Sequence, residues 1–274
     1  MYVMRLLNGA ELADFIKERQ AKQVRALRQA HKVFPKLAII ICGDNGPSQK
    51  YVALKQQYGE DILIDVEVHG VPQTEAKSLI EALNQNPEVH GIVVQLPLPE
   101  PVKTDEILAT IAPQKDVDGL TSNGQFDAAT PLAINWLLTG YNIDLRGKNV
   151  VIVGQGRLVG APLKRMLENS GLQPIIVDEN TQDPASVFVD ADVIITAVGK
   201  AGLISADMIP LDCVVIDAGV TSENGVLKGD LADNVYERTD LTVTPQKGGV
   251  GPLTVAALFD NVIRAADATK PTAN

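Results

Sequence analysis

Hydrophobic and polar positions along the chain fall into two alternating series. Residues 9–33 carry apolar side chains at helical spacing among many charges, the pattern of an amphipathic helix laid on a sheet. LAIIICG at 37–43 is a continuous apolar run rich in β-branched residues, which predicts a strand buried on both faces of a parallel sheet. A helix over 47–58, a short strand over 62–68, a helix over 74–85 and a buried strand, GIVVQLP, over 91–97 follow. This alternation is a βαβ pattern.

The second series begins after residue 140. Strands are predicted at 149–154, 174–178, 192–199 and 213–219, with a helix over 159–169 and a last helical pattern over 252–266. Between the series, TPLAINWLLTGYN at 130–142 has helical spacing, with Pro131 suited to a first turn. The predicted fold class is α/β with two domains and a cleft between them. An N-terminal α/β substrate domain spans 1–129 and is completed by the C-terminal helix at 252–274; a Rossmann-like dinucleotide-binding domain with a parallel-rich sheet spans 130–251. The tail KPTAN is expected to fray.

Composition narrows the partners. Hydrophobic residues make up 45% and charged residues 21% of 274, which is globular material, neither disordered nor fibrous. A net charge of −10 argues against nucleic acid and anionic membrane as partners, since both demand clustered Lys and Arg. The two cysteines, Cys42 and Cys213, lie in apolar runs and read as buried thiols rather than a disulfide. His31, His69 and His90 are too scattered for a zinc site, so no metal is expected. The opening MYVMRLLNGAELADFIKER lacks the apolar core of a signal peptide, and no apolar run approaches the ~20 residues of a membrane span. A cytoplasmic location is expected.

The strand NVVIVG runs into Gly154, Gln155, Gly156, Arg157, Leu158, Val159 and Gly160, and a helix follows. Glycines at such a junction let the backbone approach a pyrophosphate, while the helix N-terminus supplies free N–H groups. The spacing is GxGxxxG, one residue longer than the common fingerprint, and a tight βα turn with no ligand reads the same way. Asp178 ends the next strand, 24 residues after Gly154, close to the offset at which an acid accepts hydrogen bonds from the ribose 2′-OH of NAD. A carboxylate there repels the 2′-phosphate of NADP. Arg157 pulls the other way, since a guanidinium pairs with phosphate. NAD is therefore the expected cofactor, with NADP as the alternative.

In the first domain, Tyr51 and Lys55 stand four apart on one helix face, an aromatic beside an ammonium, which suits a flat anionic aromatic ligand and, taken alone, reads equally as an i,i+4 surface pair. Gln95, in Gln95-Leu96-Pro97-Leu98-Pro99, and Asp118, in Lys115-Asp116-Val117-Asp118-Gly119, read singly as a strand terminator and a turn, and add an amide and a carboxylate at the C-terminal side of the sheet, where open α/β folds bind ligands. Together these motifs resemble the bifunctional methylenetetrahydrofolate dehydrogenase/methenyltetrahydrofolate cyclohydrolase family. The resemblance rests on SxxYVxxK at 48–55, QLPLP at 95–99, KDVDG at 115–119, Thr130-Pro131, the glycine turn at 154–160 with Pro162, and GGVGP at 248–252. It implies that Tyr51 stacks on the folate, Lys55 is the catalytic lysine, Gln95 holds it, Asp118 bonds the pterin ring, and Gly251 and Pro252 close over the folate. Gly199 and Val220, near the ends of two later strands, are counted with Gly154, Gln155, Gly156, Arg157, Gly160 and Asp178 as dinucleotide contacts. It also implies a homodimer and the oxidation of 5,10-methylenetetrahydrofolate to methenyltetrahydrofolate, followed by hydrolysis to 10-formyltetrahydrofolate.

The chain departs from that family in places. Gln155-Gly156 stands where the family commonly has Arg-Ser, and Asp178-Glu179 where it often has His-Ser, both removing support for NADP. The stretch after KDVDG, Leu120 to Gly124, is shortened; Gln246-Lys247 replaces Val-Pro, and Ala129 replaces Cys. Two other readings fit the residues: a Rossmann dehydrogenase of another small acid, and a nonenzymatic dinucleotide-sensing protein.

Overall fold

The computed structural model of the chain describes residues 4–43, 46–223 and 226–271, and for residues 46–50 the backbone alone. The first half contains, in order, β1 (Arg5–Leu6), α1 (Gly9–Ala26), β2 (Lys36–Ile41), α2 (Gly46–Asp61), β3 (Asp65–Gly70), α3 (Ala76–Gln85), β4 (Gly91–Val94), α4 (Thr104–Leu108) and α5 (Ala129–Gly140). The second half contains β5 (Val150–Val153), α6 (Gly160–Asn169), β6 (Ile175–Val177), α7 (Pro184–Phe188), β7 (Val193–Thr196), β8 (Val214–Asp217), β9 (Thr221–Glu223), β10 (Val226–Lys228), β11 (Thr242–Val243) and α8 (Val250–Asp267). Of the tail expected to fray, residues 272–274 lie outside the described residues.

The chain packs as two compact units, one of residues 1–13 with 130–254 and the other of residues 14–129 with 255–274. The two-domain α/β architecture read from the periodicity is the one found. The sequence reading assigns 1–129 to one domain, whereas β1 pairs in parallel with β11 in the other unit's sheet.

In the unit of residues 14–129 and 255–274, β2 is flanked in parallel by β3 and β4, and Ile92 of β4 bridges onward to Asp116. All four residues of β4 are buried, as are Leu37, Ala38, Ile39 and Ile40 of β2, which is why these strands read as unbroken apolar runs. On one face they pack with Ala76, Ile80 and Leu83 of α3 and with Ile107 and Leu108 of α4. Burial of each such aliphatic side chain contributes about 1.5–3 kcal/mol.

Several strands are shorter than predicted, β4 ending at Val94 and β7 at Thr196, and two elements differ for a visible backbone reason. The helix read over 9–33 ends as a regular α-helix at Ala26, widens to a π-turn over Leu27–His31, and stops where Lys32 turns left-handed (φ 57°). The strand predicted at 62–68 begins only at Asp65, because Leu63 takes φ 66° and the Ile64 N–H returns to the Gly59 carbonyl (2.8 Å), closing the end of α2. Ile62 and Ile64 are buried as that cap packs down, so their apolar character belongs to the turn.

In the unit of residues 1–13 and 130–254, six parallel strands run in the order β1-β11-β8-β7-β5-β6. The chain leaves β5 for β6 on one side and returns to β7 on the other. Such a reversal opens a crevice beyond the carboxyl end of β5, the usual ligand position in doubly wound sheets. Phe188, Ile194, Val215 and Val243 are fully buried in the core on one face of this sheet.

Candidate active site

The βαβ order of the smaller sheet makes its own reversal at β2, with β3 on one side and β4 on the other, so side chains after β2 and β4 gather at the carboxyl edge. Gly43, just past β2, has φ 87°, and a Cβ there would come 3.0 Å from Pro99 Cγ, so glycine lets the two loops approach. α2 then carries Tyr51 and Lys55 one turn apart. Gln95 follows β4, its backbone N–H donating to the Ile40 carbonyl (2.9 Å), and the Leu96–Pro97 bond is cis.

Lys55 Nζ donates to Gln95 Oε1 at 3.1 Å, and Gln95 Nε2 donates to the Leu96 carbonyl at 3.3 Å. The amide is thereby oriented with its oxygen toward the ammonium. Burial pushes the Lys55 pKa down, while the charge of Asp118 pulls in the opposite direction. Burial raises the Asp118 pKa, opposed by Lys55 and reinforced by Asp116. Burial also raises the Tyr51 pKa. The structure thus brings Lys55, Gln95 and Asp118 into one electrostatic neighbourhood, with Tyr51 on the same helix face as Lys55.

Two residues of KDVDG that the sequence reading left without a role hold this site in place. Lys115 Nζ donates to the carbonyls of Leu83 (2.9 Å), Asn84 (2.9 Å) and Asn86 (2.7 Å), satisfying the C-terminal end of α3. The buried Asp116 carboxylate accepts from the N–H groups of Gly119 (3.2 Å) and Thr121 (2.9 Å) and from the Thr121 hydroxyl (2.6 Å). The altered stretch at 120–124 is therefore folded around Asp116, with Asp118 on the same loop. Asn261 of α8 donates to the carbonyls of Val117 (2.9 Å) and Asp127 (3.0 Å) and holds both ends of that loop. A buried Lys and a buried Asp look like surface charges in a sequence, so only their crowding into KDVDG hints at these roles.

In the larger sheet, Gly154 takes φ 97° directly after β5 and donates its N–H to the Val177 carbonyl at 2.8 Å. A Cβ on Gly154 would stand 2.9 Å from the Ala197 carbonyl oxygen, and one on Gly160 only 2.0 Å from the Gly154 carbonyl oxygen. Both glycines are required by close packing of the turn against the start of α6. Gly156 differs: a Cβ there would meet only the Ala197 oxygen, at 3.9 Å. It lies in open space, and Gln155 and Arg157 beside it are exposed. A backbone left bare beside a helix N-terminus, with the reversal of the sheet behind it, fits a dinucleotide pyrophosphate.

Asp178, at the end of β6, is half-buried, and its Oδ1 accepts the Asn180 N–H at 2.9 Å. Gly199 has φ 79°, and a Cβ there would stand 3.2 Å from the Val220 carbonyl oxygen, so these two predicted contacts lie side by side. Gly251 and Pro252 lie in the first turn of α8, within the unit of residues 1–13 and 130–254. Gln246, one of the departures, donates to Asp233 at 2.9 Å. Cys42 and Cys213 are free and buried. Among the described residues, no group of three or more His, Cys, Asp or Glu side chains could hold a metal ion, and no helix is long and apolar enough to cross a membrane.

Known proteins match both halves of the chain. Residues 7–118 match the catalytic domain of tetrahydrofolate dehydrogenase/cyclohydrolase, and residues 128–270 match the NAD(P)-binding domain of the same enzymes. The bifunctional protein FolD of Helicobacter hepaticus is 40% identical over 278 aligned residues, covering 96% of each chain. The crystal structure of the bifunctional enzyme FolD from Campylobacter jejuni superposes with a TM-score of 0.91 at 36% identity, over 97% of this chain and 99% of that one. The methylenetetrahydrofolate dehydrogenase-cyclohydrolase of Trypanosoma brucei, solved with NADP and an inhibitor, gives a TM-score of 0.91 at 29% identity, over 98% and 99%. With a Lys–Gln–Asp site on one sheet, a glycine turn at the reversal of the other, and both domains matched over nearly the full length, the chain belongs to the tetrahydrofolate dehydrogenase/cyclohydrolase family.

Proposed function

We propose that this chain oxidises 5,10-methylenetetrahydrofolate to 5,10-methenyltetrahydrofolate and hydrolyses that product to 10-formyltetrahydrofolate, with NAD as the preferred dinucleotide. The observation that carries the reading is the hydrogen bond from Lys55 to Gln95 beside Asp118, with burial lowering the Lys55 pKa.

The residues that would hold the dinucleotide are Gly154, Gln155, Gly156, Arg157, Gly160, Asp178, Gly199 and Val220. When bound, the nicotinamide ring supplies the hydride acceptor. Loss of hydride from the methylene carbon leaves a delocalised cation on the folate, so the protein's part in that step is alignment and no strong base is demanded. Tyr51 offers a ring face to the folate, and Asp118 a hydrogen-bonding edge to the pterin.

Hydrolysis adds water across the methenyl cation and releases one proton. Neutral Lys55 accepts a proton from the attacking water and returns it to the departing ring nitrogen. Gln95 fits this role better than a carboxylate would: it fixes the amine by a hydrogen bond and adds no negative charge that would keep the amine protonated. Asp178 supports NAD, since a carboxylate at the end of β6 can accept from a ribose 2′-OH and repels a 2′-phosphate. On the same reading the protein is a cytoplasmic homodimer, and light scattering that finds a monomer at micromolar concentration would remove that part.

The test is product identification. Methylenetetrahydrofolate and NAD, incubated with the protein, should give methenyltetrahydrofolate and then 10-formyltetrahydrofolate by chromatography and mass spectrometry. Recovery of unchanged folate would refute the reading.

A further inference from the structure

We propose that Asp230 is a positioning residue for the dinucleotide: its buried carboxylate holds the loop at 198–200, after β7, in the shape that receives the cofactor. The proposal rests on the reading of the glycine turn and Gly199 as the dinucleotide site.

Asp230 is fully buried. Its Oδ1 accepts the N–H groups of Gly199 and Lys200, both at 2.8 Å. Its Oδ2 accepts the Val198 N–H at 2.8 Å and the Thr196 hydroxyl at 2.6 Å. Three successive backbone donors and one side-chain donor therefore converge on one carboxylate that makes no ion pair among the described residues. Burying an anion without a cation is costly unless hydrogen bonds to the charged form replace its water. Here they do, and they fix the loop's backbone, with Gly199 at φ 79°.

The segment carrying Asp230 is itself tied to the end of the next strand. The Asp217 carboxylate, at the end of β8, accepts the N–H groups of Asp230, Leu231 and Gly219, each at 3.0 Å. Glycine is needed at both crossings. A Cβ on Gly219 would lie 2.1 Å from Asp230 Cγ, and one on Gly229 would lie 2.0 Å from Asp217 Oδ2. Two carboxylates, each pressed against a glycine of the other's segment, thus join the loops that follow β7 and β8 and set Gly199 against the Val220 carbonyl. Both loops leave the carboxyl edge of the sheet, the one after β7 next to the reversal at β5 and the one after β8 a strand further on.

A merely structural acid and a positioning acid predict different outcomes, because the two activities of this family need different ligands. Methenyltetrahydrofolate supplied directly can be hydrolysed with no dinucleotide present. In Asp230→Asn, the amide keeps one acceptor oxygen and turns its NH2 toward donors on the other side. We expect the Kd for NAD, measured by titration calorimetry without folate, to rise tenfold or more, with faster amide exchange at Val198, Gly199 and Lys200. Cyclohydrolase turnover and its KM for supplied methenyltetrahydrofolate should stay within twofold. An unchanged Kd for NAD, or equal loss of both activities, would overturn the proposal. Should Asp230→Asn fail to fold, Thr196→Val decides: it removes one donor and leaves the three backbone bonds, so the Kd for NAD should rise about threefold with cyclohydrolase unchanged. An unchanged Kd in that variant would likewise overturn it. If the wild type itself binds neither NAD nor NADP, the reading of the dinucleotide site falls together with this proposal; if it binds NAD and the variants bind equally well, only the role of Asp230 falls.

Discussion

Lys55 Nζ donates a hydrogen bond to Gln95 Oε1 across 3.1 Å, joining α2 to the end of β4 at the carboxyl edge of the smaller sheet. That bond orients the amine through a neutral partner, and burial lowers its pKa. General acid–base catalysis of this kind contributes typically 10²–10⁴-fold. Lys55→Met should therefore lower cyclohydrolase turnover by about 10²–10⁴-fold, while calorimetry finds the Kd for NAD unchanged. Undiminished hydrolysis in Lys55→Met would remove Lys55 from the reaction.

The pH profile of hydrolysis follows from the same charges. The active amine is neutral, so the rate should climb with pH and level off above the Lys55 pKa, which lies below the ordinary 10.5. The negative charge of Asp118 raises that pKa, so Asp118→Asn should move the rising limb to lower pH. Gln95→Glu should move it to higher pH by placing a carboxylate against Nζ. Rate profiles of the three proteins on supplied methenyltetrahydrofolate check both signs, and coincident limbs would contradict them.

The glycine turn separates packing from ligand approach. Gly160→Ala puts a Cβ 2.0 Å from a carbonyl oxygen and should lower the melting temperature as well as dinucleotide binding. Gly156→Ala meets nothing closer than 3.9 Å and should leave the melting temperature unchanged while raising the Kd for NAD severalfold. Thermal melts with and without NAD distinguish the two. A Gly156→Ala protein that binds NAD normally would place the pyrophosphate elsewhere.

Asp217 makes the larger sheet's unit sensitive to pH. Burial pushes its pKa up to about 6, against 3.8 for an ordinary aspartate. A raised folded-state pKa means that the folded chain holds the proton more tightly than the unfolded one, so this contribution to stability is complete below about 3.8 and disappears as pH rises through about 6. The difference in unfolding free energy between wild type and Asp217→Asn should shift against the wild type from pH 4 to pH 7. Urea unfolding at several pH values measures it, and a constant difference would refute the assignment.

Much of this was legible in the sequence, because buried parallel strands are written as apolar runs and helices as spaced ones. LAIIICG and NVVIVG became the centres of two sheets for that reason. The N-terminal residues were not legible: Arg-Leu at 5–6 is too short for a period, and its pairing with β11 is decided by contacts more than 200 residues away. The end of α2 was misjudged because a left-handed leucine within an apolar run looks like strand. Of the candidate site, Lys55, Gln95 and Asp118 were nominated by their motifs, and the structure sets them in one neighbourhood. Lys115, Asp116, Asp217 and Asp230 were not, since a charged side chain reads as solvated until its backbone partners are known.

The most direct test of the account follows methenyltetrahydrofolate and reduced dinucleotide as they form from methylenetetrahydrofolate, with NAD and NADP in parallel at matched concentrations. The expected result is reduced dinucleotide equal to the sum of methenyl- and 10-formyltetrahydrofolate, and a kcat/KM for NAD well above that for NADP. Turnover that favours NADP would contradict the reading of Asp178 and Gln155, and the absence of turnover with either would contradict the proposed function itself.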